Sequence, residues 1–305
     1  MAIRKLPSTG DKPRASATPT GLPTGMVAGG AGDSAGFPWE GRTFNHHDTA
    51  FAGDDGTSPK EFVAAVVHLR QAATALTRSP EALAEHGSDK LLKELAQAHA
   101  NVVLTLNRVR LLVPLVADAG ELGYTPEGKI VEKTQELSIV TVKAPDGRTV
   151  MPVFSSVDAM RTWDATARPI PVPGPQAAIA AAQEGTELLI VDPGSSATEF
   201  GIRSTELEAV ALGESQVPAW CNSEVLKAFA QTADGDSIRA VEILPGDAEG
   251  RLRAPEIDVV LSVVPGLSRD QLTERIQALQ TQWAKNETIA HLVDSLRVRV
   301  LAADS

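Results

Sequence analysis

The sequence predicts an α/β (α+β) protein, with a mixed sheet packed with helices over residues 42–213 and a small ββαβ unit over 214–305. Three observations carry this. Apolar stripes at helical spacing follow capping signals, at residues 58–76 and again at 268–283. Short apolar runs bounded by turn residues, at 110–116 and 188–191, have the length of buried strands. Leu296, Val298 and Val300 alternate with Arg297 and Arg299, the pattern of a strand with one buried face.

Along the chain, residues 1–41 are rich in Gly, Pro, Ser, Thr and Ala and have no hydrophobic period. Ordering a backbone costs about 1–2 kcal/mol per residue, and this stretch has few large apolar side chains to offset that, so a disordered arm is expected. Ser58, Pro59 and Glu61 form a capping box ahead of the stripe Phe62, Val66, Leu69, Ala73 and Leu76. Ser79-Pro80-Glu81 restarts a short helix, and Leu91, Leu92 and Leu95 mark another to about Ala100. Residues 102–106 and 110–116 then read as extended, the second as a central strand. The charged segment 120–136 is an exposed loop or hairpin.

Residues 138–143 and 149–154 flank Asp146-Gly147 and form a hairpin. A helix follows at 156–163. Pro169, Pro171 and Pro173 force an extended segment, because proline biases its predecessor away from the helix. An Ala-rich helix opens at Gly174-Pro175 and closes at Gly185, and residues 188–191 form a buried strand. Thr205 and Glu208 set a second capping box for a helix to Gly213. After a short linker at 214–218 come a helix at 223–232, strands at 237–244 and 257–264, a helix capped by Ser268 and Gln271, and the final strand.

Composition narrows the function. The chain of 305 residues is 43% hydrophobic and 22% charged, ordinary for a globular protein. Its formal charge of -11 opposes phosphate backbones and anionic lipid surfaces, and an aromatic share of 4% leaves few stacking platforms. The arm, with Arg4, Lys5, Lys12 and Arg14 against Asp11, Asp33 and Glu40, is no basic tail. No apolar run approaches the roughly 20 residues that span a bilayer. The single cysteine, Cys221, forbids an internal disulfide, which fits a reducing cytoplasm.

The runs 110–116 (RLLVPLV), 151–158 (MPVFSSVD), 171–175 (PVPGP) and 189–194 (LIVDPG) resemble, in order and spacing, the N-terminal domain of the enhanced-serine-sensitivity, or SseB-type, proteins. Residues 41–56, with Asn45 and Asp54-Asp55-Gly56, and the C-terminal run Val264-Pro265-Gly266-Leu267-Ser268 resemble the version common in high-GC Gram-positive bacteria. The likeness covers 41–213 most strongly. It implies an α/β fold and a cytoplasmic bacterial protein, and it supplies no catalytic residues.

Candidate sites are weighed on their chemistry. Gly32-Asp33-Ser34-Ala35-Gly36 matches the G-x-S-x-G pattern of serine hydrolases, yet sits in the arm without the strand and helix that make such a serine a nucleophile. His46-His47-Asp48 and Asp54-Asp55-Gly56 place imidazoles near carboxylates, but the spacing fits neither an EF-hand nor a zinc site, so turn hydrogen bonds are expected. Cys221 beside Trp220 has Lys227 as its nearest cation in sequence, and is read as a buried apolar residue.

Two candidates point to ligands or partners. Asp192, Gly194, Ser195 and Ser196 lie at a strand end, where α/β sheets bind ligands, with Pro173 expected beside them. No Gly-Lys-Ser/Thr follows, so this is not a P-loop. Arg297 and Arg299 share one face of the last strand, and Arg239 beside them would complete a basic stripe for an anion or partner, against the default of solvated edge charges. With no cofactor or metal signature, a non-catalytic interaction or regulatory protein, acting on an unknown protein partner through a surface of the N-terminal α/β domain, is the leading expectation. An enzyme or ligand site at the Asp192 loop comes second, and a ribosome- or RNA-associated factor third.

Overall fold

The computed structural model describes residues 2–3, 51, 53–78, 87–118, 122–124, 130–132, 136–144 and 146–302. Apart from Ala2–Ile3, the arm read at 1–41 lies outside the described residues, as do the Gly32–Gly36 pattern, His46-His47-Asp48 and the helix restart at Ser79-Pro80. Gly56–Ser305, with Met1–Lys5, form one compact unit.

Ala2–Ile3 is strand β1. The first helix, α1 (Lys60–Arg78), buries the predicted Phe62, Val66, Leu69 and Ala73. Ser58, read as its cap, has its hydroxyl 2.7 Å from that of Ser155. Helix α2 runs over Ser88–Leu106 and packs on α1. It absorbs residues 102–106, expected to be extended. The β-branched pair Val102-Val103 suggests a strand locally, but Leu91, Leu95, His99, Val102, Val103 and Leu106 continue one buried helical stripe, and packing on α1 decides the conformation.

Strand β2 (Arg110–Asp118) follows, then β3 (Leu122–Tyr124) paired antiparallel with β4 (Ile130–Glu132), in the segment expected to be an exposed loop or hairpin. Strands β5 (Glu136–Lys143) and β6 (Thr149–Val153) close around Gly147, which has a φ of 88°. Helix α3 (Val157–Trp163) is capped by Ser156, whose hydroxyl accepts from the Ala159 N–H. Strand β7 (Arg168–Pro173) leads into α4 (Gly174–Gln183), followed by β8 (Leu188–Val191) and β9 (Phe200–Ile202). These strands make one mixed sheet in the order β7-β2-β5-β6-β8-β9, with β1 on β5.

Pro114 divides the central strand β2 between partners. Its pairing with β5 runs from Asp118 only as far as Leu115↔Ile139, next to the residue without an N–H. The next β5 residues, Val140 and Thr141, pair with Ile3 and Ala2. Leu112 instead exchanges two backbone hydrogen bonds with Phe154, at 2.8 and 2.9 Å.

Helix α5 (Ser204–Leu212) starts one residue before the expected Thr205, and Arg203 is its cap residue. The Arg203 N–H donates to the Glu206 carboxylate at 3.0 Å, so the reciprocal carboxylate is Glu206 rather than Glu208. A 3-10 turn (Ala219–Cys221), α6 (Ser223–Ala230) and β10 (Ile238–Pro245) come next. Strand β11 (Ile257–Val263), α7 (Arg269–Ala284), α8 (Glu287–Leu292) and β12 (Leu296–Ala302) complete the chain. The second sheet is β10-β11-β12, with β11 and β12 parallel, and α8 adds a short helix to the expected ββαβ order. Ser268 and Gln271 cap α7 reciprocally, as predicted. One apolar cluster runs from Phe62 through Met151 and Trp220 to Leu261 and Trp283, so residues on both sides of 214–218 contribute to it.

Candidate functional site

Strands β6 and β8 are parallel neighbours, so their C-terminal ends release two loops on the same edge of the sheet. The β6 loop carries Ser155 and Ser156. The β8 loop carries Asp192, Pro193, Gly194, Ser195 and Ser196. Asp192 is 1% exposed and adopts a left-handed φ of 48°, which turns its carboxylate back to the β6 loop. There it accepts the Ser155 N–H at 2.7 Å and the Ser155 hydroxyl at 2.5 Å.

The Ser155 proton being committed, Ser58 is the donor in the Ser58–Ser155 pair. The Arg110 guanidinium caps the same loop, bonding the Ser155 carbonyl through Nη1 and the Thr57 carbonyl at 3.0 Å through Nη2. Burial pushes the Asp192 carboxyl up, and the Ser155 hydrogen bonds pull against it. Sequence reasoning found Asp192 but missed Ser155 and Arg110. The available signal was a charged residue opening the otherwise apolar run at 110–116.

The rest of the loop is tied internally. Gly194, with a φ of 86°, donates its N–H to Glu199 at 2.6 Å. The Ser195 hydroxyl meets that of Thr198 at 2.9 Å and accepts the Thr198 N–H at 3.1 Å. Outside, Pro193 to Ser196 face Ala159, Thr162 and Trp163 of α3 across a cleft of about 630 Å³. Pro173 is not in that lining. It ends β7 opposite Arg110 and precedes α4, whose Gly174 approaches α2 so closely that a Cβ there would stand 1.8 Å from the Leu106 carbonyl oxygen.

A second buried polar assembly, unforeseen in the sequence, centres on Arg203. Its guanidinium holds Asp247 at 2.8 Å, Asp294 at 3.1 Å and the Ala254 carbonyl at 3.0 Å. Asp294 also takes Arg148 at 2.8 Å. Burial pushes the Asp294 carboxyl up, but Arg148 and Arg203 outweigh it and hold the group below its ordinary value. Glu206 bonds His99 Nε2 at 2.6 Å, and contact with His99 and the Arg203 N–H likewise outweighs burial and keeps it low.

Glu256 is the exception. It accepts the Asp294 N–H at 2.8 Å, and burial raises it to about 7. Glu199 binds Arg251 at 2.8 Å and Arg253 at 3.0 Å. These residues are scattered over more than a hundred positions, and no local spacing announces them.

The arginines of the last strand lie elsewhere. Both engage the buried Asp258 of β11, Arg297 at 2.8 and 2.9 Å and Arg299 at 3.4 Å. Arg239 sits at the bulge in β10, on the far side of β11 from β12. Cys221 packs half-buried against the main core. Among the described residues no group of three or more His, Cys, Asp or Glu is arranged to hold a metal ion, and no helix is long and apolar enough to cross a membrane.

Residues 89–209 match the family model of the SseB protein N-terminal domain. This stretch is an SseB N-terminal domain. The match takes in α2, the strands β2 to β9 and most of α5, and so both strand-end loops and Arg203. It covers less than half of the chain, leaving out α1 and the β10-β11-β12 layer. No curated protein and no solved structure is found to match the chain.

Proposed function

We propose that this SseB-family chain is a non-catalytic interaction module of the cytoplasm, binding a protein partner along the outer edge of β12. The observation that carries this reading is the state of that edge. Among the described residues no strand lies beyond β12 in its sheet, and its Val300 and Leu301 are 41% and 53% exposed. The Ser295 carbonyl accepts from the Ile257 N–H and so faces β11. By alternation Leu296, Val298, Val300 and Ala302 turn their backbone N–H and C=O groups outward, and an unpaired row of this kind is a template for strand addition.

The Asp192 loop supports a catalytic reading less well, because its carboxylate is already bonded to Ser155. The cleft of about 630 Å³ outside that loop keeps a small-ligand site as the second reading.

The test is a Val300→Pro variant. It removes an outward N–H and no bond to β11. In-cell cross-linking of wild type and variant should show a defined partner lost from the variant while both unfold at the same temperature. An unchanged set of cross-linked proteins would remove β12 as the interface.

A further inference from the structure

The two faces of β12 differ, and together they specify what an added strand must carry. On one face, Leu296 and Val298 pack on the core with Leu279 and Trp283. This face opens at the start of the strand into a cleft of about 340 Å³ lined by Trp283, Ile289, Val293 and Leu296. On the other face stand Arg297 and Arg299, with side chains 51% and 55% exposed. Both share the single carboxylate of Asp258. Asp258 is 4% exposed, so among the described residues two guanidinium groups meet one carboxylate at the edge. Glu242 lies on the same face but on β10, two strands and so about 9–10 Å away.

We infer that the occupant of the β12 edge is an amphipathic strand of a partner protein, with acidic residues on one face and apolar residues on the other. Its acidic side chains stand beside Arg297 and Arg299, where cross-strand ion pairs favour the pairing. Its alternate apolar side chains continue the surface of Val298 and Val300, and one at the end enters the Trp283–Leu296 cleft. A second copy of this chain fits less well, since β12 against β12 brings four arginines to one face with two carboxylates between them. The surrounding charge of -11 selects against acidic chains in general, so the match has to be local to this edge.

This inference rests on the interaction reading above, and its test is separate. The probe is a fluorescent peptide alternating Glu with Val and ending in Leu, with a control in which Lys replaces each Glu. Anisotropy against the full chain should show saturable binding of the Glu peptide at or below about 1 mM and none of the Lys peptide. Amide exchange of 296–302 should slow in the complex. Arg299→Gln, which gives up only the longer bond to Asp258, should weaken binding several-fold without lowering the unfolding temperature, and Val300→Pro should abolish it.

Equal binding of both peptides, binding that leaves 296–302 exchange unchanged, or no binding of the Glu peptide would overturn the acidic-strand assignment. Dimerisation of the chain lost in Val300→Pro would assign the edge to a second copy and overturn it as well. If the Glu peptide fails while Val300→Pro still strips a partner in cells, the occupant is wrong and the interaction reading stands.

Discussion

The larger sheet ends in β7 and the smaller in β12, and the two edges are built in opposite ways. In β7, Pro169, Pro171 and Pro173 occupy every second position, and β7 pairs with β2 throughout. A proline facing β2 would cost a ladder bond, so Arg168, Ile170 and Val172 face the ladder and the prolines face out. The outer edge of β7 therefore offers carbonyls and no donors, and another strand cannot zip onto it. In β12 no proline intervenes, and outward donors alternate with outward acceptors. The opposite ends of these two sheets are guarded too. Strand β9 is covered where the Gly201 N–H donates to the Gly250 carbonyl at 2.8 Å. Strand β10 carries a bulge near Ile238 and ends in Pro245. Of the four ends of the two sheets, β12 alone is left unguarded among the described residues.

The comparison breaks most severely if β7 loses its seat. Gly174→Ala drives a Cβ into the Leu106 carbonyl and should destabilise by about 3–5 kcal/mol in urea denaturation, a scale reached only by strong steric or packing faults. A cost under about 1 kcal/mol would mean that α4 moves freely against α2.

The smaller sheet is tied in through Glu256, whose folded value of about 7 lies above its ordinary 4.5. The folded state thus binds its proton more tightly than the unfolded chain does. The stabilisation tied to that proton is complete below pH 4.5 and is lost as the pH rises through 7. Glu256→Gln, which cannot ionise, should gain stability over wild type above pH 7, on the order of 3 kcal/mol, with little difference near pH 4. Parallel stability curves across that range would show that Glu256 titrates normally.

Asp192→Ala should cost about 2–3 kcal/mol, by leaving the buried Ser155 N–H and hydroxyl without an acceptor. Asp192→Asn should cost less, because it keeps one acceptor. Equal costs would point to the charge rather than the hydrogen bonds.

The smallest effect on stability addresses the edges themselves. Replacing Pro169 and Pro171 with Val restores outward donors to β7 and should change stability by no more than about 1 kcal/mol. Sedimentation should nevertheless show new self-association, absent in wild type. A variant that stays as wild type would show that the prolines are not what closes this edge.

Much of this was legible in the residues. Pro169, Pro171 and Pro173 dictate extended backbone by covalent geometry alone. Ser268 with Gln271 announces its helix because both partners of the cap lie within one turn. The strand-end position of Asp192 follows from the apolar run before it. Residues 102–106 were misread because β-branched propensity is weak beside a helical stripe that begins a turn earlier and finds α1 to pack on.

The sequence by itself therefore determined the α/β class, the capped helices, the hairpin at Gly147 and the family to which the domain belongs. These depend on neighbours a few positions apart. The tertiary structure alone decided that Asp192 is spent on Ser155, that Arg203 gathers Asp247 and Asp294, and that Asp258 serves both Arg297 and Arg299. It alone decided that the outer edge of β12 has no strand on it among the described residues. Those outcomes depend on pairings across tens to more than a hundred positions, where no local spacing constrains which charge meets which or which strand lies last in its sheet.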